Sequence, residues 1–397
     1  MTSRFAPLGE LCAKIGSGAT PRGGNKNYKK TGIALVRSMN VHLGRFKPDE
    51  LAFIDETQAA KLNNVALEPD DVLLNITGAS VARSCMLDNS VLPARVNQHV
   101  CILRPHRELL SDRYLMRFLT SEKTQMRLLR IAGAGATREA ITKGEIQKLQ
   151  IPLPPLAEQK RIAGILDAAD AMRAKRRESL AQLDTLLQST FLTLFGDPVT
   201  NPKGWAIAPL ETLIDSDRPI TYGILKPGPD IEDGIPYVRV VDIKNEQVLV
   251  DQLRRTTAEI ANQYKRSRLK PGDLLMSIRG HVGRMAITPH EADGANITQD
   301  TARLALAGAE ASYVMQCITT QGMQHYMDRR TKGIAVRGIN LGDVKKLPIP
   351  TPPLDLQRRF AAIVESVERQ KARLRAHLAE LDTLFASLQS RAFSGEL

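Results

Sequence analysis

The chain has 397 residues, 43% of them hydrophobic, which is ample for two domains of ordinary size. No run approaches the roughly 18 consecutive apolar residues that span a bilayer, and the opening MTSRFAPLGELC has no apolar core followed by a small-residue cleavage site, so neither a membrane protein nor a secreted one is expected. Of the net charge of +12, residues 1–150 (22 Lys+Arg against 14 Asp+Glu) and residues 201–350 (20 against 17) carry nearly all, a distribution that suits a polyanionic partner.

In chain order, Gly32–Arg37, Asp71–Ile76 and His99–Leu103 are short β-type runs bounded by turn residues. Helical periodicity follows over 108–130. Pro154-Pro155 then stands where a long helix begins, because proline fits a first turn and fixes the chain entering it. Asn201-Pro202-Lys203-Gly204 is a turn, and Trp205 opens a second block with helical periodicity over 310–330. Pro352-Pro353 starts a second long helix, and Glu158 and Asp355 suit the positive ends of the two helix dipoles.

The chain is written twice. At a shift of 198 residues, 141–195 lies over 339–393 without a gap. Ile151-Pro152-Leu153-Pro154-Pro155-Leu156 falls on Ile349-Pro350-Thr351-Pro352-Pro353-Leu354, and Leu183-Asp184-Thr185-Leu186 recurs as Leu381-Asp382-Thr383-Leu384. The globular blocks match more loosely near a shift of 202, with Pro69-Asp70-Asp71 over Pro271-Gly272-Asp273. The expected fold class is α/β (mixed α+β). It comprises a first globular domain over 1–152, a central helix over 153–199, a second globular domain over 200–350 and a second helix over 351–397.

Within the tails, Leu166, Ala169, Leu180, Leu183, Leu187 and Leu194 keep steps of 3 and 4, and Val364, Val367, Leu378, Leu381, Phe385 and Ala392 keep the same register. That is a coiled-coil seam, broken midway by Arg173 and Arg176 in one copy and Lys371 in the other. A helix of about forty residues, ~60 Å at ~1.5 Å per residue, is not stable unpaired in water. Antiparallel pairing of the two, separating two similar domains in a pseudo-twofold arrangement, is therefore expected. The alternative is that each helix packs only on its own domain.

Catalytic patterns are missing. There is no glycine-rich turn with an Asn/Asp-Pro-Pro-aromatic motif for methyl transfer and no GxxxxGK[ST] loop for ATP. Cys12, Cys85, Cys101 and Cys317 form no CxxC pair, which fits a reducing cytoplasm. Cys85, His99 and Cys101 have atypical spacing for zinc, so no metal is expected. A nuclease-like pattern drawn from Pro229-Asp230 and Asp242-Ile243-Lys244 has no counterpart in the first half. His99 and His281 have no evident nucleophile partner. Two similar but unequal heads instead suit a divided DNA target whose two segments differ. Aromatics at 4% favour duplex grooves over stacked single strands.

With this layout the chain resembles the specificity subunit of Type I restriction–modification systems, over essentially its whole length. The residues that carry the resemblance are Ile151–Gln159, Phe195-Gly196-Asp197-Pro198 leading into Asn201–Trp205, Gly18-Ala19-Thr20-Pro21, Thr221-Tyr222-Gly223-Ile224 and Phe393–Leu397. The departure is Leu356, which stands where a glutamate is usual before Gln357. The resemblance implies a non-catalytic subunit that reads double-stranded DNA and docks two methyltransferase subunits through its helices. It further implies motor-nuclease subunits, with S-adenosylmethionine, Mg2+ and ATP held by the partners and no cofactor on this chain. Other readings are the recognition subunit of a Type IIB-like fused nuclease–methyltransferase and a two-headed protein scaffold without a DNA role.

Residues that touch DNA are sought among polar and basic side chains in glycine-containing loops, where backbone can approach phosphate and side chains can reach base edges. In the first block these are Thr20, Arg22, Lys26, Lys29, Arg83 and Arg138. In the second they are Tyr222, Lys226, Arg279, Arg284, Lys332 and Arg337.

Overall fold

The computed structural model describes residues 4–20, 24, 28–133, 139–333 and 337–397. It divides into two compact units, Met1–Arg177 with Ala376–Leu397 and Glu178–Arg375.

In the first unit, strands Cys12–Ser17, Val100–Pro105, Val72–Asn75 and Ser84–Met86 form an antiparallel sheet in that spatial order. Side chains alternate across a strand, and both faces of this sheet are covered. Val72, Leu74, Cys101 and Leu103 enter the core on the helical side. Leu73, Cys85 and Ile102 enter a second core shared with the strands Ala52–Ile54, Ile33–Val36 and Ala94–Val96. Two-sided burial is why the Val72–Asn75 segment reads as an unbroken apolar run rather than an alternating one.

The second unit repeats this plan. Thr221–Tyr222, Thr301–Leu304, Leu274–Ser277 and Met285–Ile287 form the four-stranded sheet, and Arg254–Thr256, Ile235–Val238 and Asn296–Ile297 form the three-stranded one. In both smaller sheets one pair is parallel. The repeated turn before the central strand also has one physical cause. Asp70 and Gly272 hold the same left-handed position, φ +66° and +87°. The next residue, Asp71 or Asp273, is buried and accepts the backbone N–H three residues back at 2.8 Å.

The helical stretches expected over 108–130 and 310–330 are each split in two, Asp112–Leu119 with Glu122–Gly133 and Ala311–Thr319 with Gln321–Asp328. Hydroxyls make the breaks by competing for backbone groups. Ser121 donates to Phe118 O at 2.7 Å, and Thr320 turns extended and caps Met323 N.

The long helices run Leu156–Phe195 and Leu354–Ser394, each beginning in one unit and ending in the other. Pro155 O accepts from Glu158 N and Gln159 N, so the proline pair leads directly into the first helix. Their pairing is antiparallel within each unit. In the first unit Arg173 meets Asp382 (2.6 Å) and Arg176 meets His377 (2.9 Å). In the second unit Lys371 meets Asp184 (2.6 Å) and Phe360 meets Phe191. Leu166, Leu187 and Leu381 are buried and Leu180, Leu183, Leu194, Val364, Leu378 and Phe385 half-buried; Leu166 belongs to the first unit's core, Phe385 packs against that core, and Leu194 and Val364 pack against the second unit's.

Arg173, Arg176 and Lys371 do not break the helices. Arg173 lies 4.3 Å over the Phe385 ring while bonding Asp170 and Asp382, and Lys371 is buried between Asp184 and Glu368. A paired polar group inside a coiled-coil seam fixes register, since any slip would leave it buried and alone. Nor does each helix pack only on its own domain. Phe191 and Phe195 enter the second unit's core, and Ala392 enters the first unit's, with Phe393 packed against it.

Candidate nucleic-acid interface

At one end of the four-stranded sheet in the first unit, three loops are tied by backbone. Ile76 N donates to His99 O (3.0 Å), Gly78 N to Glu139 O (3.1 Å) and Ile141 N to Ile76 O (2.8 Å). They open onto a cleft of ≈ 920 Å³ lined by Met39, Thr77, Arg83, His99 and Glu139 among others. His99 is held from both sides, by Thr77 Oγ1 at its Nδ1 (2.5 Å) and by Gln98 Nε2 at its Nε2 (3.0 Å). Thr20 Oγ1 donates to Gln98 Oε1 in turn. Met39 is exposed beside them.

The chain leading into Thr20 can approach the strand Ala94–Val96 only because residue 18 is glycine. A Cβ on Gly18 would stand 1.7 Å from Val96 O. The equivalent Gly223 in the second unit would put one 1.8 Å from Ile297 O. The two glycines donate to Asn97 O (3.1 Å) and Thr298 O (3.2 Å). That contact is the physical content of the glycine in Gly18-Ala19-Thr20-Pro21 and in Thr221-Tyr222-Gly223-Ile224.

In the second unit the same end of the sheet is tied by the same bonds. Ile278 N donates to Asp300 O (2.8 Å), Gly280 N to Arg337 O (2.9 Å) and Ile339 N to Ile278 O (2.9 Å). Arg279 faces Asp300 at 3.8 Å, with more than a third of each side chain exposed. Arg337 stands 3.8 Å from Asp328, and the Lys332 backbone exchanges both its hydrogen bonds with Gly338.

The sequence candidates therefore sort as follows. Arg83 lines the first cleft, and Thr20 connects to its His99 through Gln98. Arg279, Lys332 and Arg337 share the second loop cluster. Arg83 and Arg284, both exposed, occupy one equivalent position, since Asn75 N donates to Arg83 O and Ser277 N to Arg284 O. Lys29 stands apart from the cleft, bridging Phe53 at the edge of the three-stranded sheet. Tyr222 is exposed on its strand, opposite Ala302, and Lys226 is exposed shortly after it. Arg22, Lys26 and Arg138 lie outside the described residues.

Thr77, Gln98, His99 and Glu139 were missed by sequence reasoning. They carry no motif, and His99 reads as a lone polar histidine. The available signal was the internal repeat, which sets His99 against Asp300 and Thr77 against Arg279.

The nuclease-like acids are structural. Asp242 is buried and takes Arg239 N (2.8 Å), Nε (2.9 Å) and Nη2 (2.7 Å). Asp230 accepts from Arg255 N at 2.8 Å. Asn40 holds the position equivalent to Asp242 in the first unit, accepting from Arg37 N at 3.0 Å. Cys85 and Cys101 sit in different cores on opposite faces of one sheet, and burial pushes both thiols up to about 12. Among the described residues no group of three or more His, Cys, Asp or Glu is placed to hold a metal, and no helix is long and apolar enough to cross a membrane.

Two modules of one design, each presenting exposed donors on glycine-containing loops at one sheet end and each holding antiparallel segments of the two long helices, define a duplicated two-module protein. A family description, the Type I restriction modification DNA specificity domain, matches residues 3–183 and again 205–382. The chain belongs to this family of specificity subunits, which carry DNA sequence recognition in Type I restriction–modification. It is 27% identical to the Type I restriction enzyme EcoBI specificity subunit of Escherichia coli, over 97% of this chain and 84% of that protein. The fold is shared with a chain from a type I R-M complex assembly (TM-score 0.58, 20% identity, 99% of this chain and 98% of that one). It is also shared with the Type-I restriction-modification S subunit from M. genitalium (TM-score 0.56, 16% identity, 98% and 96%).

Proposed function

We propose that each unit reads one segment of a bipartite, asymmetric duplex site, and that the paired helices dock two methyltransferase subunits. In the full complex, motor-nuclease subunits join them. On this reading the chain performs no chemistry: S-adenosylmethionine, Mg2+ and ATP are bound by the partners, and the assembly works in the cytoplasm. The observation that carries the reading is the repetition of one loop frame, bond for bond, with different side chains on it. A shared frame keeps the docking geometry, and different side chains give different base preferences.

Docking of two partners is supported by matched apolar side chains outside the seam. Leu186 and Leu384 are the same residue at equivalent places in the two helices, and each is 49% exposed. Exposed apolar residues repeated in register suit two copies of one partner.

The test is a gel-shift series on duplex DNA at rising salt. Contacts to several phosphates predict affinity falling linearly in log–log form, with a slope of about −0.9 per phosphate neutralised. Salt-independent binding, or none in the presence of the methyltransferase subunit, contradicts the reading.

A further inference from the structure

The two loop frames permit a comparison inside one molecule. Backbone hydrogen bonds fix the equivalences without reference to sequence. Ile76 N→His99 O matches Ile278 N→Asp300 O, and Gly78 N→Glu139 O matches Gly280 N→Arg337 O. Thr77, one residue after Ile76, therefore matches Arg279, one residue after Ile278; both form isolated bridges to the same returning loop, at Ala140 and at Gly338. His99 matches Asp300, and Glu139 matches Arg337.

At these three places the chemistry changes while the backbone does not. The first unit holds a hydroxyl, an imidazole and a carboxylate. The second holds a guanidinium, a carboxylate and a guanidinium. The side chains of the first two places also face each other within each unit, as the hydrogen bond Thr77···His99 at 2.5 Å and as the ion pair Arg279–Asp300 at 3.8 Å. One side-chain pair has thus been replaced by another as a set. Around them the frame keeps its residues: Gln98 and Gln299 precede the second place, and Arg83 and Arg284 accept from Asn75 N and Ser277 N at the ends of the two central strands.

We propose that Thr77, His99 and Glu139 in the first unit, and Arg279, Asp300 and Arg337 in the second, are the specificity-determining positions that make the two modules read different bases. This rests on the DNA reading proposed above and names its residues. Arg279 is more than half exposed, with the Asp300 carboxylate 3.8 Å from one arm of its fork, and a free guanidinium fork is the group that reads guanine O6 and N7 in a major groove. Glu139, an exposed acceptor on the first unit's loop, suits the amino group of cytosine. His99, with its ring nitrogens tied to Thr77 and Gln98, is a positioning residue for that cleft. Arg83 and Arg284, common to both frames, discriminate nothing and contact phosphate.

The test exchanges the sets. Thr77→Arg, His99→Asp and Glu139→Arg are introduced together in the full chain, so that the facing pair is replaced by one known to fit the frame. The reciprocal triple change is made at Arg279, Asp300 and Arg337. Each variant is co-expressed with the neighbouring methyltransferase subunit, and the methylated motif is mapped genome-wide. One half of the motif changes in the first variant and the other half in the second, each with about tenfold or greater loss of discrimination at the affected base. Unchanged motifs, or a change in both halves from one exchange, overturn the assignment.

Should either triple variant unfold by circular dichroism, Arg279→Lys and Glu139→Gln serve in its place. Each must relax one base position of one half, and retention of the full motif by both overturns the proposal. Wild-type gel shifts separate the two levels: salt-sensitive duplex binding with motifs unmoved by exchange removes this inference alone, whereas no duplex binding by the wild type removes the DNA reading itself.

Discussion

Phe393 packs its ring against that of Tyr114, with centroids 5.3 Å apart and planes tilted by 55°. Phe195 does the same to Tyr313, at 4.7 Å. Both tyrosines are fully buried and donate to a proline carbonyl at the foot of a long helix, Pro152 O (3.1 Å) and Pro350 O (2.7 Å). The first unit's core is thus completed by a helix end that arrives from the other extreme of the sequence. Phe385, Leu388 and Leu397 pack there too. A chain cut after residue 384 should lose cooperative unfolding of the first unit, and Phe393→Ala, at a partly buried ring, should cost ~1–3 kcal/mol. Differential scanning calorimetry reads both; an unchanged transition for the cut chain would show that the first unit's core is complete without this helix end.

Gln159 and Gln357 are buried at the starts of the long helices. Gln159 accepts Ser111 N (2.9 Å) and donates to Leu109 O and Pro154 O; Gln357 accepts Glu310 N (3.0 Å) and donates to Pro352 O. Replacing Gln159 by leucine keeps the bulk and strands a buried N–H, which should cost ~1–3 kcal/mol. Equilibrium denaturation measures this, and a neutral Gln159→Leu would show that water can take the amide's place.

Gly18 and Gly223 carry a stricter condition. Because a methyl would overlap Val96 O or Ile297 O, Gly18→Ala and Gly223→Ala must push the recognition loop off its strand. Each should lower DNA affinity while leaving co-purification with the methyltransferase intact. Retained affinity in both would show that the loop has room to move.

Much of this architecture was legible in the sequence. The proline pairs, the leucine steps and the duplicated tail gave the helices and their pairing because those features are periodic and local. The turn at Asp70 and Gly272 was legible as a repeated motif, and its left-handed backbone explains why glycine and aspartate both occur there. The recognition frame was legible only in part. Arg279 and Arg337 stand out as cations near glycines, whereas Thr77, His99 and Glu139 are brought together by backbone bonds between loops far apart in sequence, which no local pattern encodes. Arg173 and Lys371 read as interruptions of an apolar seam, because their partners, Asp382 and Asp184, lie on the opposite helix.

Burial raises Cys12, Cys85 and Cys101 from their ordinary value of 9.0 to about 12, and Cys317 higher still. Thiols held protonated in the folded state add stability that is fully present below pH 9 and is lost as pH rises toward 12. Unfolding free energy should therefore fall on the alkaline side, and no thiol of the native protein should react with a disulfide reagent at pH 8. Rapid labelling of any of the four would contradict their burial.

Leu186→Asp should remove one methyltransferase subunit from the complex, Leu384→Asp the other, and the double variant both. Analytical ultracentrifugation of the co-expressed assembly gives the stoichiometry. Two subunits retained by the double variant would place docking elsewhere on the chain.

The most direct test of the whole account is the methylation map of the wild-type chain co-expressed with its neighbouring methyltransferase. Two unequal modules predict one asymmetric motif, two specified segments of different sequence flanking unspecified bases. A single uninterrupted motif, or a palindrome, would contradict it.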